Sequence, residues 1–464
     1  MTVYAGPGSG SAPDYSRMEC SGCGTIVGLD EPYPFRCPNA DRRPDVDHVL
    51  VRILGLSAPS FPDQADDAIP ASFVRYRGLF RSHHLAERHP LMDDAEYVRL
   101  VEELDDAVAR VDGHGFRVTP FVREDEMSDR LGFSPAGGVW VKNETGNVSG
   151  SHKARHLMGL AIHLAVAERI GLISEADRAA RPLAIASCGN AALAAAVVAH
   201  AAGRRLQVFI PTDADPVVVA RLKELEADLV VAPREPGVSG DPTYHALKRA
   251  LAEGALPFTC QGNENGLAIE GGITLGYEMA SVLRADGVAL DRVVVQVGGG
   301  ALATAVAQGL REARELGALE RVPALHTVQT RGAFPLVRAF ELISKWRDQE
   351  GATVEEALAY ARTNRAEFMW PWEEAPHSVA HGILDDETYD WLAVVRAMLE
   401  TGGSAIVVDE DTLREACDLA FETTGIPADH TGTSGLAGLV ALRRHGAIED
   451  DERVAVLCTG IRRE

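Results

Sequence analysis

The sequence predicts an α/β fold built on mainly parallel sheet, and three observations carry that prediction. From about residue 95 onward, short strand-like apolar runs alternate with helical runs of roughly 10–15 residues, the pattern of right-handed strand–helix–strand crossovers. Several of those strands end in Gly, Ser, Asn or Thr turns that open directly into helices, the edge at which open parallel sheets bind ligands. Finally, the chain has 464 residues, of which 46% are hydrophobic and 24% charged. That is enough apolar content for a substantial core, and a length suited to about two to four domains or two large lobes.

Taken in order, residues 1–16 are rich in Gly, Ser, Pro and Ala and read as a mobile tail. Residues 17–48 hold Cys20, Cys23 and Cys37 among turn formers. The segment VKNETGNVSGSHKARHLMGLAIHL (141–164) ends in a helix, with Leu157, Leu160, Ala161 and Leu164 spaced along one face. Either Ser149 or Ser151 is placed to cap it after the Gly146–Gly150 turn region, which puts Lys153 in its first turn. LAIA (183–186) is a short buried strand, followed by Ser187-Cys188-Gly189-Asn190 and an alanine-rich helix running to His200. LQVFI (206–210) is a strand, PVVVARLKELEA (216–227) a helix with proline near its start, and DLVVA (228–232) a further strand. RVVVQV (292–297) runs into Gly298-Gly299-Gly300 and a helix from Ala301 to about Glu315, and LHTVQ (325–329) is the next strand. A helix through GLAGLVALRRHG (435–446) precedes the strand RVAVLCT (453–459), from whose end Thr459 projects before Gly460. No internal repeat of fixed period is present.

Lys and Arg number 45 against 68 Asp and Glu, a net charge of −23 with no basic block. Such a field repels phosphate backbones and anionic lipid, so neither nucleic acid nor a membrane surface is expected as a partner. No run approaches the roughly 18 consecutive apolar residues of a membrane span. The N-terminus lacks the basic start and apolar core of a signal peptide. Seven cysteines in this length are too few for a disulfide scaffold, so a reducing, cytoplasmic location is expected.

Four segments carry chemistry. A lysine in a first helical turn faces the positive end of the helix dipole, which disfavours its charged form and helps expose the neutral amine that Schiff-base chemistry needs. Between a strand and a helix start, Ser187–Asn190 offers backbone N–H groups to a carboxylate or phosphate, and Asn190 adds an amide. A Cys188 nucleophile is an alternative there, although no histidine is marked as its base. The strand, triple glycine and helix start at 292–302 make a phosphate cradle of bare donors at a positive helix end. Gly298-x-Gly300-x-x-Ala303 also satisfies the relaxed dinucleotide fingerprint, but the next strand offers Gln329 where a ribose-binding acid is expected. Thr459 stands at the same sheet edge.

As an ordered set these segments resemble the fold-type II pyridoxal 5′-phosphate enzymes, which include threonine synthase, serine/threonine dehydratases and the tryptophan synthase β subunit. The matching features are Ser151-His152-Lys153-Ala154-Arg155, Ser187-x-Gly189-Asn190, Gly298-Gly299-Gly300-Ala301-Leu302 and Thr459-Gly460, in the family's order over roughly residues 90–464. EGGITLGYEMA (270–280) and SVAHGILDDETYDW (378–391) also look like family segments. The resemblance implies that Lys153 attaches the cofactor and then acts as base at the substrate Cα. It places His152 near the cofactor phosphate, Asn190 at its 3′ oxygen, and Gly298, Gly299, Gly300, Ala301 and Leu302 around the phosphate. Thr459 would face the pyridine nitrogen, while Ser187, Cys188, Gly189 and Asn190 would hold the substrate carboxylate. A neutral hydroxyl opposite that nitrogen does not enforce a pyridinium, which favours expelling a β-substituent over transamination.

The same resemblance implies two α/β domains with the cofactor in the cleft between them. The smaller would span 155–280 and the larger 45–154 plus 281–464, after a leader at 1–44. A homodimer is usual in the family. Cys20-x-x-Cys23 with Cys37 resembles the zinc-ribbon-like leader of many threonine synthases, except that the expected last cysteine is Ala40. A structural zinc needs four ligands, which His48 completes only by looping back. A degenerate ribbon packed without metal is the alternative. His152 and Ala154 replace the aromatic residue and acid that threonine synthases carry around the lysine. Gln329 stands where some dehydratases and racemases carry a metal-binding glutamate.

The leading expectation is a lyase that eliminates a β-hydroxyl or other β-substituent from an amino acid, as serine/threonine dehydratases do. The near rival is a threonine synthase-like replacement on a phosphorylated or acylated amino acid. A nicotinamide-dependent oxidoreductase built on the Gly298 loop and a non-catalytic ligand sensor are the more distant ones.

Overall fold

The computed structural model describes residues 16–55, 60–63, 69–234 and 240–463; most of the tail expected at 1–16 lies outside them. In chain order its strands are β1 (Ser16–Cys20), β2 (Ile26–Val27), β3 (Leu50–Leu54), β4 (Phe121–Glu124), β5 (Gly138–Asn143), β6 (Leu183–Ala186) and β7 (Leu206–Ile210). They continue with β8 (Asp228–Val231), β9 (Leu256–Pro257), β10 (Arg292–Gln296), β11 (Ala324–Thr330), β12 (Ala405–Val408) and β13 (Arg453–Cys458).

These strands form three sheets. A six-stranded sheet runs β12-β11-β10-β13-β5-β4, parallel except for the edge strand β4. A four-stranded sheet, β8-β7-β6-β9, is parallel throughout. The leader is a small antiparallel sheet, β2-β1-β3, so it draws on residues beyond the last of its cysteines. The fold is α/β with mainly parallel sheet, as expected.

Chain order and sheet order differ, and that difference builds the site. In the large sheet β10, β13 and β5 are adjacent, with Val294 opposite Val456 and Cys458 opposite Asn143. Because all three run the same way, their carboxyl ends leave the sheet at one edge. The glycine loop, Thr459 and the Lys153 segment therefore start side by side from widely separated stretches of sequence.

Three helices cross closely beneath that edge. A Cβ on Gly159 would lie 2.8 Å from the Gly271 Cα, and one on Gly276 would lie 2.8 Å from the Gly309 Cα. Helix Ala268–Asp286 thus presses backbone to backbone against Lys153–Arg169 on one side and Ala301–Glu315 on the other. This contact explains Gly271 and Gly276, while Gly272 makes room for the His156 ring, 2.2 Å from where its Cβ would stand. Among the described residues, no helix is long and apolar enough to cross a membrane.

Two local expectations are corrected. Neither Ser149 nor Ser151 caps the Lys153 helix; its N-cap is His152, without a side-chain cap bond. Ser149 instead adopts a left-handed φ of 55° and donates its N–H to Asp112 at 2.9 Å, while Ser151 forms an isolated bridge to Gly460. The helix expected over 216–227 ends at Glu224, two residues before Glu226 turns left-handed at φ 57° and leads into β8.

Candidate active site

Lys153 is the first residue of its helix, half-buried, and the chain's own C-terminal segment holds that helix start in place. The His152 N–H donates to Thr459 O at 3.1 Å, and the Ile461 N–H donates to Gly150 O at 2.9 Å. The same segment reaches the second sheet. A Cβ on Gly460 would sit 2.8 Å from Asn190 Nδ2, so only glycine lets the strand end approach that amide. Arg463 Nη2 donates to both Asn190 Oδ1 and Ser149 O at 2.8 Å. Asn190 opens the helix Asn190–Ala201, which has no side-chain cap. With its oxygen occupied by Arg463, Asn190 turns Nδ2, a donor, to the Gly460 side.

The glycine loop ends at Gly300, which is left-handed at φ 101° and begins the helix Ala301–Glu315 with no side-chain cap. The segment after 380 lies against it. Thr388 Oγ1 donates to Gly298 O at 2.9 Å and the Asp390 N–H to Gly299 O at 3.0 Å. Side chains on the loop would collide with Asp385 Oδ2 (2.4 Å), the Tyr389 ring (2.9 Å) or Asp390 Cβ (3.0 Å). Asp385 accepts the Gly299 N–H, so the loop already holds an anion-forming group on a donor of the kind a phosphate oxygen uses. Burial raises the Asp385 carboxyl to about 6, against the pull of Lys153. Asp390, 2% exposed and with Oδ2 unpartnered, is raised to about 8 by burial and by the charge of Asp47, again against Lys153. Sheet order and the contacts of the 459–463 segment thus bring together a lysine amine, a bare glycine turn at a helix start, an amide and a strand-end hydroxyl. That donor set fits a ligand carrying an aldehyde, an aromatic ring and a phosphate.

His152 and His156 are buried and held neutral; burial dominates both shifts, and Lys153 adds to them. His152 Nδ1 faces Thr459 O at 3.3 Å, which assigns its hydrogen to Nδ1 and leaves Nε2 an unpartnered acceptor.

Beside the Lys153 helix start lies a buried charged core that no sequence motif marks. Arg155 Nε pairs with Glu144 Oε2 at 2.7 Å and its Nη1 with Glu278 Oε1 at 2.5 Å. Lys142 Nζ meets Glu278 Oε2 at 2.5 Å and Thr119 O at 2.8 Å, and these four charged side chains are at most 1% exposed. Burial works against the Glu278 carboxylate, but Arg155 and Lys142 outweigh it and hold the group down at about 2. The network ties β5, the Lys153 helix and the 268–286 helix together.

Other candidates fall into place less directly. Ser187 is tied by its N–H to Phe209 O at 3.2 Å, with Cys188 exposed beside it. The Cys188 thiol is raised by burial and by the carboxylates of Asp213, Asp241 and Asp215, the reverse of what a nucleophilic thiolate requires. Gln329 Oε1 accepts the N–H groups of Leu336 (2.8 Å) and Val337 (3.2 Å), so it caps the helix Pro335–Glu350 and faces neither a ribose nor a metal.

In the leader, Cys20, Cys23, Cys37 and His48 each offer one ligand atom within 4.8 Å of all the others. His48 Nδ1 lies 3.4 Å from Cys20 Sγ, and Cys23 Sγ lies 3.6 Å from Cys37 Sγ. The loop back to His48 is therefore made; it follows from β3 pairing beside β1.

The profile of the pyridoxal-phosphate dependent enzyme family matches residues 114–460. A threonine synthase of Methanosarcina acetivorans is 27% identical over 344 residues, 74% of each chain. A biosynthetic L-threonine dehydratase of Haemophilus influenzae is 24% identical over 369 residues, 80% of this chain and 60% of that one. Among solved structures, diaminopropionate ammonia lyase from Escherichia coli superposes with a TM-score of 0.56 at 17% identity, covering 80% of this chain and 90% of that one.

Proposed function

The chain belongs to the pyridoxal-phosphate dependent enzymes, and on that premise we propose that it eliminates the β-substituent of an α-amino acid, with a hydroxyl as leaving group. Family membership replaces the nicotinamide reading of the Gly298 loop. Both β-elimination and β-replacement occur among the relatives, so the choice between them rests on the cleft itself.

The observation that carries the choice is the charge around the Ser187–Asn190 loop. Asp213, Asp241 and Asp215 all act on the Cys188 thiol of this loop. A phosphorylated leaving group meets repulsion from these carboxylates, whereas a hydroxyl carries no charge to be repelled. This supports a dehydratase outcome over the threonine synthase-like one.

In this reading Lys153 Nζ would hold the cofactor, the N–H groups of Gly298 to Leu302 would hold its phosphate, Asn190 would serve its 3′ oxygen and Thr459 its ring nitrogen. When bound, the cofactor supplies the electron sink for charge at the substrate Cα. The Ser187 hydroxyl together with the backbone of Cys188 and Gly189 would hold the substrate carboxylate, the Ser187 N–H being committed to Phe209 O, and this would orient the Cα hydrogen towards Lys153. Freed from the cofactor by the substrate amine, Lys153 Nζ would take that proton and pass it to the β-hydroxyl, which leaves as water, and addition of one water to the dehydrated product would yield a 2-oxo acid and ammonia.

Incubation with serine and threonine tests this. Release of 2-oxo acid and ammonia supports it; a new amino acid formed only from a phosphorylated or acylated substrate overturns it. Borohydride reduction and peptide mapping should place the cofactor mass on Lys153. We also propose that the leader cluster binds zinc through Cys20, Cys23, Cys37 and His48, which metal analysis of the purified protein checks at one equivalent per chain. The homodimer implied by the resemblance and the cytoplasmic location expected from the sparse cysteines remain part of the proposal, and sedimentation tests the former.

A further inference from the structure

Gln296, the last residue of β10, lies beneath the strand end that carries Thr459, and its side chain can face that residue in only one way. Its Nε2 stands 2.6 Å from Thr459 Oγ1, 2.9 Å from Gly432 O and 3.3 Å from Leu457 O. Two of these three atoms are carbonyl oxygens, which only accept. The flipped amide would set Oε1 against both, so the nitrogen must face them. Oε1 turns towards Gly435, 2.8 Å from where a Cβ would stand, and has no hydrogen-bond partner.

It follows that the Thr459 hydroxyl receives a hydrogen bond from Gln296, and its own hydrogen points elsewhere. Both residues are at most 3% exposed, so bulk water does not take that hydrogen. Thr459 directly follows β13, beside the end of β10, and in the proposed function the group that takes this hydrogen is the cofactor ring lying there.

We infer that Gln296 is a positioning residue that makes Thr459 a hydrogen-bond donor, so that the ring nitrogen of the bound cofactor is held as an unprotonated acceptor. The inference rests on the proposal that Thr459 faces that nitrogen. With the opposite polarity, a threonine oxygen would accept and favour a protonated nitrogen. An unprotonated nitrogen makes the ring a weaker electron sink, which disfavours long-lived charge at Cα and the transamination that follows from it. Gln296 thereby links a buried amide to the choice of reaction.

The test uses cofactor labelled with ¹⁵N at the ring nitrogen, whose chemical shift reports protonation directly. Wild-type protein should show the unprotonated shift across pH 6–9, and Gln296→Glu should move it towards the protonated one. A second arm does not depend on a variant folding: wild-type protein is loaded with an analogue carrying C–H in place of the ring nitrogen. Leaving the Thr459 donor unpaired should weaken binding about tenfold. A protonated nitrogen in the wild type, or an analogue bound as tightly as the natural cofactor, would overturn the inference. Thr459→Val separates it from the reading beneath. If that variant leaves both the shift and the cofactor affinity unchanged, Thr459 does not face the nitrogen and the underlying reading fails. If Thr459→Val changes them and Gln296→Glu does not, only the role of Gln296 is lost.

Discussion

Lys142 and Lys153 leave the same strand edge within one short stretch of chain, yet the fold treats them oppositely. Lys142, on β5, is fully buried and saturated, between Glu278 Oε2 at 2.5 Å and Thr119 O at 2.8 Å. Lys153 is half-buried and forms no ion pair among the described residues, although Asp385 and Asp390 both lie within reach of its charge. The paired ammonium is structural, because removing either partner strands a buried charge. The unpaired amine is available for covalent chemistry. Position in the network, more than residue type, separates the two.

The largest expected effect falls on the free lysine. Lys153→Ala should lower turnover by about a thousandfold or more and abolish borohydride trapping, while unfolding in urea shifts by less than about 1 kcal/mol. Lys142→Met should do the converse. Stranding part of the Glu278 charge should cost about 3–5 kcal/mol in the same urea titration, with whatever folds still loading cofactor. Loss of loading in the folded fraction would break the comparison, since Lys142 would then act on the site.

Asp390 sharpens the comparison through pH. Its folded carboxyl is raised to about 8, so the fold retains a proton that the unfolded chain releases near pH 4. The contribution is present below about pH 4 and is lost as pH rises through 8, at up to about 1.4 kcal/mol per pH unit. Asp390→Asn should flatten this slope in melting curves of cofactor-free protein recorded between pH 5 and 8. The smallest effect is expected at Arg463. Arg463→Ala frees Asn190 to rotate its amide and should weaken cofactor binding about threefold, read by equilibrium dialysis, with little change in stability.

Much of the architecture was legible because it is local. Apolar runs such as LAIA and RVVVQV are too short for buried helices and are closed by Gly or Ser turns, so their strands and the loops after them could be read in order. The helix cap departs from expectation because a serine's capping tendency is a local preference, and Ser151 commits its backbone to Gly460 across the sheet. His48 was visible as a fourth ligand but appeared distant; the pairing of β1 with β3 brings it back to Cys20.

The sequence by itself determined the parallel α/β class, the family and the identity of the groups that would handle a phosphate, an aldehyde and a carboxylate. Those depend on residue type and spacing, which a single chain displays. Only the tertiary structure decided which groups are paired and which are left free. Strand order put β13 between β10 and β5, and so placed Gln296 against Thr459 and the C-terminal Arg463 against Asn190. Hydrogen-bond polarity, ion pairing and desolvation are set by neighbours distant in sequence, and no periodicity or motif encodes them.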